Sequence, residues 1–179
     1  MKPTSALITG ASKGIGFAVA KRFAPMLSVL HLVARGNEDL QKAAENLKRP
    51  GLSIHLHSVD LTSQEGVESL ANAVKDTTST LDVLVNNAGV YLPGSLVGEN
   101  RSDLRYMMNL NVLSHYDLIN ALEDCFLPGS YIFEMSSVAA KKLFLGKPGY
   151  SISKHAQGAM IDALRNEMRP RGVRVTSVM

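Results

Sequence analysis

The chain has 179 residues, of which 45% are hydrophobic and 20% charged, and this composition is typical of a single globular domain with a sizeable core. The formal net charge of +3 is small and the Lys and Arg residues are scattered, so nothing indicates nucleic-acid binding. No stretch approaches the roughly 20 apolar residues of a membrane span, and the lone Cys125 excludes an intrachain disulfide, so we expect one cytoplasmic domain over residues 1–179.

Short apolar runs alternate with longer amphipathic segments from one end of the chain to the other. The predicted elements are, in order, strand 5–9, helix 15–23, strand 29–34, helix 38–48, strand 53–59, helix 64–75, strand 81–87, helix 103–122, strand 130–136, helix 150–169 and strand 173–178. This alternation predicts an α/β fold, a doubly wound parallel sheet of the Rossmann type in three layers, with helices on both faces. A ligand should then bind beyond the carboxyl ends of the strands.

The segment "LITGASKGIG" joins the first strand to the first helix. Gly10, Gly14 and Gly16 lie where the chain must turn sharply and let a ligand approach its backbone. The N-terminus of the following helix offers free N–H groups and a positive dipole end to a phosphate. A glycine pattern in this strand-to-helix context predicts a dinucleotide-binding loop.

The end of the second strand, in "HLVARGNEDL", predicts which dinucleotide binds. An acid at this point, roughly 20 residues beyond the glycines, would accept hydrogen bonds from a ribose 2′-hydroxyl, whereas a basic residue suits a 2′-phosphate. The chain has Ala34 and Arg35 there, and Lys13 in the glycine loop can add a second positive charge. We therefore expect NADP(H) to be preferred over NAD(H), although Arg35 could also be an ordinary solvated residue.

Five motifs now occur in a recognisable order: "TGASKGIG" from Thr9, "NNAG" from Asn86, Asn111 in "NLNVLSH", Ser137 in "EMSSVAA", and "YSISK" from Tyr150. With these motifs the chain resembles the short-chain dehydrogenase/reductase family from about residue 4 to its last residue. The resemblance implies an NAD(P)-dependent enzyme that acts on CH–OH and C=O groups.

The resemblance also implies catalytic roles for four residues. Tyr150 would be the general acid/base, and Lys154, one helical turn later, would be the nearby cation that lowers its pKa from a free value near 10. Ser137 would hold the substrate oxygen, and Asn111 would support a proton relay to solvent. The predicted reaction is the reduction of a ketone or aldehyde by NADPH, or oxidation of the alcohol, with the hydride carried by the cofactor.

By the same resemblance, cofactor contacts are expected along both halves of the sheet. The expected residues are Thr9, Gly10, Ser12, Lys13, Gly14, Ile15, Gly16, Arg35, Asp60, Leu61, Asn87, Ala88, Gly89, Tyr150 and Lys154. Asp60 could also cap the next helix, as could Thr62 or Ser63. No metal site is expected: His55 and His57 alternate on one strand face, but no acid or cysteine accompanies them at ligand spacing.

The resemblance further implies subunit contacts and more chain than this sequence contains. The outer faces of helices 103–122 and 150–169 pair between subunits in the family, so a homodimer or homotetramer is expected. Relatives continue beyond the sixth strand with a substrate-covering segment and a seventh strand, which predicts that the domain is incomplete at its C-terminal end. A cofactor-binding sensor or partner-binding protein without turnover is therefore an alternative, and a nucleotide-sugar epimerase or dehydratase a more distant one. Lys141, Lys142 and Lys147, between Ser137 and Tyr150, favour an anionic or carrier-bound substrate.

Overall fold

The computed structural model describes residues 3–97 and 101–179. The strands are β1 (Ser5–Thr9), β2 (Val29–Ala34), β3 (Ser53–Ser58), β4 (Val83–Asn86), β5 (Tyr131–Met135) and β6 (Arg174–Val178). The helices are α1 (Gly14–Phe23), α2 (Asn37–Glu45), α3 (Gln64–Thr77), α4 (Arg101–Met108), α5 (Ser114–Ala121) and α6 (Pro148–Met168). Within the described ranges no helix is both long and apolar enough to span a bilayer.

The six strands form one parallel sheet in the order β3-β2-β1-β4-β5-β6. Successive side chains of a strand point to opposite faces, and β1 shows this directly. Ala6 and Ile8 pack with Ala20 and Leu40 on the side of α1 and α2, whereas Leu7 belongs to the core on the side of α3, α5 and α6. Two hydrophobic layers thus enclose the sheet, and the predicted three-layer Rossmann-type fold is confirmed.

The strand order reverses between β1 and β4, which are direct neighbours although β2 and β3 lie between them in sequence. In an open parallel sheet this switch point leaves a crevice at the carboxyl ends of the strands. The loops that follow β1, β2, β3, β4 and β5 all meet along this edge, and they carry the predicted site residues.

One predicted element differs from the structure. The sequence predicts a single α-helix over 103–122, but a π-helical turn at Asn109–Leu113 separates α4 from α5. The turn closes with a hydrogen bond from the N–H of Ser114 to the carbonyl of Asn109. Such turns are frequent at functional sites, and this one is centred on Asn111.

Candidate active site

The glycine loop after β1 has a shape that side chains would prevent. Gly10 has a φ of +63°, and a Cβ on it would lie 2.7 Å from Asn87 Nδ2. A Cβ on Gly16 would lie 2.2 Å from the carbonyl oxygen of Gly10. The positive φ of Gly10 and the close backbone approach at Gly16 therefore require glycine at both positions, as the loop pattern predicts.

The N-terminus of α1 opens onto the same edge of the sheet. Lys13, at its N-cap position, makes no side-chain capping hydrogen bond, and the first turn contains no acidic residue. The backbone N–H groups in the first turn of α1 can therefore donate to an anion, aided by the helix dipole. These features fit a dinucleotide pyrophosphate, for which Ser12, Gly14 and Ile15 would supply backbone contacts.

The Thr9 side chain points into the protein interior, whereas direct contact with a cofactor would need it at the surface of the cleft. Its side chain is fully buried, and Oγ1 accepts hydrogen bonds of 2.9 Å from the backbone N–H groups of both Asn87 and Ala88. The Asn87 side-chain amide returns hydrogen bonds to the carbonyls of Thr9 and Gly10. Thr9 therefore ties the segment after β4 to the glycine loop, so that both line one cleft.

This cleft, of about 360 Å³, lies along the carboxyl ends of β1 to β4. Most of the expected cofactor residues line it, namely Gly10, Ser12, Lys13, Arg35, Asp60, Leu61, Asn87, Ala88 and Gly89. The structure therefore brings together residues that lie up to 79 positions apart in the sequence.

The charges at the β2 end of the cleft are mixed. Lys13 and Arg35 are exposed there, and Arg35 Nη1 donates to the hydroxyl of Tyr106 at 3.0 Å. Sequence reasoning missed Asp39, which lines the same cleft from the first turn of α2. Its place shortly after β2 was the available signal, because the residues that follow this strand face the same edge of the sheet.

Asp60 holds its own loop together. Its Oδ1 accepts from the N–H and hydroxyl of Thr62, at 2.9 and 2.8 Å. These hydrogen bonds keep the pKa of Asp60 below its ordinary value, with a smaller contribution from the Arg35 charge against a partial burial penalty. The cap of α3 is Ser63, whose Oγ accepts from the N–H of Gly66 at 3.1 Å, so capping leaves the second carboxylate oxygen of Asp60 available to the cleft.

Asn111 is fully buried where the π-turn meets α6. Its Oδ1 accepts from the N–H of Val90 at 2.7 Å, and its Nδ2 donates to the Val90 carbonyl and to Ser153 Oγ. The side chain thus fastens the loop after β4 to the helix that carries Tyr150 and Lys154.

Tyr150 and Lys154 lie on one face of α6, as their four-residue spacing predicts. Lys154 Nζ is 5.9 Å from the centroid of the Tyr150 ring. The Tyr150 ring also meets Tyr91 edge-on at 5.3 Å, and Lys147 Nζ lies 4.8 Å from the Tyr91 ring. Tyr91, which sequence reasoning missed, therefore places a second aromatic side chain at the exposed end of the pair.

Burial changes the ionisation of Lys154. Its side chain is 5% exposed, and this burial lowers its pKa to about 8, although the negative charge of Glu134 opposes the shift. Nζ donates to the carbonyl of Met135 at 3.0 Å and to Gln157 Oε1 at 2.9 Å. An ammonium group has three donors, so one remains for a group in the site.

Ser137 follows β5, where it begins the short 3₁₀ turn Val138–Ala140. Its Oγ accepts from the N–H of Ala139 at 3.1 Å, which leaves the hydroxyl hydrogen free to donate. The 3₁₀ turn packs against α6, so Ser137 and Tyr150 belong to neighbouring elements.

Three buried polar side chains behind Lys154 had no sequence signal. Glu134, His115 and Gln157 come from β5, α5 and α6 and are 0%, 1% and 0% exposed. The three residues lie up to 42 positions apart in the sequence, and only the packing of the three elements brings them together.

The strand histidines form a stack that the sequence did not predict. His31 on β2 is fully buried between His55 and His57, with ring centroids 5.0 and 5.2 Å away. His31 Nδ1 lies 2.9 Å from His57 Nε2. Neither this stack nor any other group of three or more His, Cys, Asp or Glu side chains in the described part of the chain is arranged to hold a metal ion.

Comparison with known proteins shows the family of this chain. The family model described as short chain dehydrogenase matches residues 4–179. The chain is 34% identical to dehydrogenase/reductase SDR family member 7B of Xenopus tropicalis, over 96% of this chain and 58% of that protein. It is 33% identical to a sepiapterin reductase of Chlorobaculum tepidum, over 96% of this chain and 74% of that protein.

A solved structure has the same fold. The alcohol dehydrogenase of the archaeon Thermococcus sibiricus, complexed with 5-hydroxy-NADP, superposes with a TM-score of 0.90 at 29% identity. The match covers 97% of this chain and 74% of that structure. The chain thus spans between about half and three quarters of the length of these proteins.

Proposed function

The chain belongs to the short-chain dehydrogenase/reductase family, and from that premise we propose that it is an NADPH-dependent oxidoreductase that reduces a ketone or aldehyde or oxidises the corresponding alcohol. The observation that carries the proposal is the pair of Lys154 and Tyr150 on one face of α6, beside a cleft built around a glycine loop. The similar proteins named as reductases and dehydrogenases support the same reaction type.

In the proposed mechanism NADPH supplies the hydride, and the residues of this chain handle the proton and the substrate oxygen. Ser137 donates a hydrogen bond to the carbonyl oxygen and stabilises the negative charge that develops there. Tyr150 donates its proton to that oxygen as the general acid. Lys154, as a buried cation near the ring, stabilises the resulting phenolate.

Asn111 has a supporting role in this proposal. Its side chain already joins Val90 to Ser153, so it holds the loop after β4 against the helix that carries the acid. The π-turn around it places this side chain where it reaches Ser153, the residue before Lys154. We assign the start of the proton relay to solvent to this position.

We also propose that NADP(H) is preferred over NAD(H). Two positive side chains, Lys13 and Arg35, lie at the cleft where an adenosine ribose would bind, and a guanidinium matches a phosphate as a fork. Asp39 lies on the same cleft and opposes the preference. The related alcohol dehydrogenase was solved with an NADP derivative, which supports the proposal.

Two further features of the protein are part of the proposal. A groove of about 370 Å³ between α5 and α6 is lined by both apolar and polar side chains, with Ile119, Met160 and Leu164 among the apolar ones. This groove supports a homodimer or homotetramer formed through residues 103–122 and 150–169. Light scattering after size-exclusion chromatography tests the oligomeric state.

The location we propose is the cytoplasm. The free, buried Cys125 is compatible with its reducing environment.

The reaction is tested by following NADPH absorbance with a broad panel of ketones and aldehydes. We expect carbonyl-dependent oxidation of NADPH by the unmodified protein and its loss in Tyr150→Phe, with NADPH affinity retained by calorimetry. Affinity for NADPH with no turnover on any substrate would contradict the proposal and favour the alternative, a cofactor-binding protein without catalysis. Absence of binding would contradict both.

A further inference from the structure

A chain of buried hydrogen bonds connects Lys154 to the strands beneath it. Gln157 Oε1 lies 2.9 Å from Lys154 Nζ, and Gln157 Nε2 lies 3.2 Å from Glu134 Oε2. Glu134 Oε2 is in turn 2.8 Å from His115 Nδ1, and Glu134 Oε1 accepts from Asn86 Nδ2 at 2.6 Å. We refer to Gln157, Glu134 and His115 as the buried network.

Hydrogen-bond chemistry determines the direction of its first link. A lysine ammonium can only donate, so the oxygen of the Gln157 amide must face Lys154. The amide nitrogen then points away, toward Glu134, to which it donates. Gln157 therefore connects a buried positive charge on one side to a carboxylate on the other.

The same reasoning places a proton at the far end of the network. His115 Nε2 lies 2.8 Å from the carbonyl oxygen of Ala88, which can only accept, so Nε2 carries a hydrogen. With Glu134 as a carboxylate, the hydrogen in the 2.8 Å contact between His115 Nδ1 and Glu134 Oε2 belongs to Nδ1, so both ring nitrogens of His115 donate. The network thus reaches Ala88, a residue that lines the cofactor cleft.

The buried network lies where a charged lysine is energetically unfavourable. Burying a lysine among apolar layers disfavours its charged form, and the proposed reaction needs that charge beside Tyr150. The titratable groups around Lys154 in the described residues are Tyr150 on its own helix, Glu134 on β5 and, beyond Gln157, His115 on α5. Glu134 is the one among them whose charge favours the protonated lysine.

We propose that Glu134, acting through Gln157, is a positioning residue that holds Lys154 protonated and keeps its Nζ beside Tyr150. The inference rests on the proposed function for its catalytic meaning, but the state of Lys154 itself can be measured without turnover. A purely structural role for the network would instead stabilise the fold and leave the titration of Lys154 unchanged.

The test is an NMR titration of the Lys154 side chain in protein carrying ¹³Cε-labelled lysine, without cofactor. Lys154→Arg assigns the signal. Glu134→Gln removes the charge and keeps the shape, and the new amide can donate to Asn86 Oδ1, a buried oxygen with no partner among the described residues, once the Asn86 amide rotates. Gln157→Met removes the acceptor and the connection at similar volume.

We expect the midpoint of the Lys154 titration to fall by about one pH unit in Glu134→Gln, the size expected for losing a nearby unit charge inside a protein. Gln157→Met should move it in the same direction. Glu123→Gln is the matched control, because Glu123 is an exposed glutamate that pairs with Arg171, and it should leave the midpoint unchanged.

An unchanged midpoint in both network variants, each shown to be folded by circular dichroism, would overturn the inference. Should Glu134→Gln fail to fold, Gln157→Met decides alone. In active protein, the alkaline limb of the kcat/KM profile should move to lower pH in both variants. A titration that responds in protein without turnover would leave the role of Glu134 intact and contradict the proposed function instead.

Discussion

The buried histidine stack makes the stability of this protein depend on pH in a specific way. His31 is fully buried, and its pKa is lowered to about 3 by burial first and by the positive charges of His57 and His55 second. In the unfolded chain a histidine titrates near the ordinary value of 6.5. Between these values the unfolded state binds more protons than the folded state. The stability that the neutral, buried His31 contributes is therefore fully present above pH 6.5 and is lost progressively as the pH falls toward 3.

The magnitude follows from proton linkage. Lowering the pH from about 7 to about 5 moves the unfolded His31 from mostly neutral to mostly charged, while the folded His31 stays neutral, and this costs about 2 kcal/mol. His57, whose pKa is also lowered by burial and by His55, adds to the loss. The wild-type protein should therefore lose at least about 2 kcal/mol of unfolding free energy over this interval.

The perturbation is His31→Leu, which replaces the imidazole with an apolar side chain in a buried position of β2. The Nε2 atom of His57 then loses its partner, but His57 is only half-buried and water can replace it. The variant should retain its fold, and its loss of stability between the two pH values should be smaller than that of the wild type by about 2 kcal/mol.

The assay is urea unfolding followed by far-UV circular dichroism at both pH values, at one fixed protein concentration because an oligomer would make stability concentration-dependent. For each protein we compare the free energy of unfolding at the two pH values, so any effect of the substitution that is the same at both pH values cancels. His155→Gln, at an exposed position of α6, serves as the control. Equal losses in the wild type and His31→Leu would refute a buried, neutral His31, as would a wild type that gains stability on acidification.

Three other predictions concern the cleft and the acid. Arg35→Ala should weaken NADPH binding roughly tenfold, about 1.4 kcal/mol, without changing NADH binding, because only NADPH carries the 2′-phosphate. The control Arg22→Ala, at an exposed position, should change the affinity for neither cofactor. Isothermal calorimetry measures both affinities, and an equal effect of Arg35→Ala on the two cofactors would argue against a phosphate contact. Thr9→Val should lower the free energy of unfolding by about 1–3 kcal/mol, because the N–H groups of Asn87 and Ala88 lose their acceptor; a near-neutral effect in urea unfolding would mean that the two segments are held by other contacts. Tyr150→Phe should reduce kcat by about 10²-fold or more with little change in KM, the loss typical of a general acid, and a fall in affinity with unchanged kcat would contradict that role.

Much of the fold could be predicted because its signals are local. The apolar run of β1, the glycines after it and the helix that follows are read within about a dozen residues, and each reflects a backbone requirement such as the positive φ of Gly10. The Tyr150–Lys154 spacing is local in the same sense, since one turn of helix places both on one face.

The π-turn at Asn109–Leu113 could not be predicted in this way. The apolar periodicity of 103–122 is that of a helix, and the extra residue in the turn leaves that pattern nearly intact. What stabilises the turn is the set of hydrogen bonds from Asn111 to Val90 and Ser153, which come from two other segments.

The class of fold, the glycine loop and the order of the site motifs could all be predicted from the residues alone, because these features depend on spacing along the chain. The roles of single polar residues became visible only once the chain was folded. Thr9 bonds to the segment after β4, His31 stacks between two other histidines, and Glu134 meets His115 and Gln157 behind Lys154. The physical reason is that a buried polar atom needs a partner, and in a parallel sheet that partner comes from strands and helices far away in sequence.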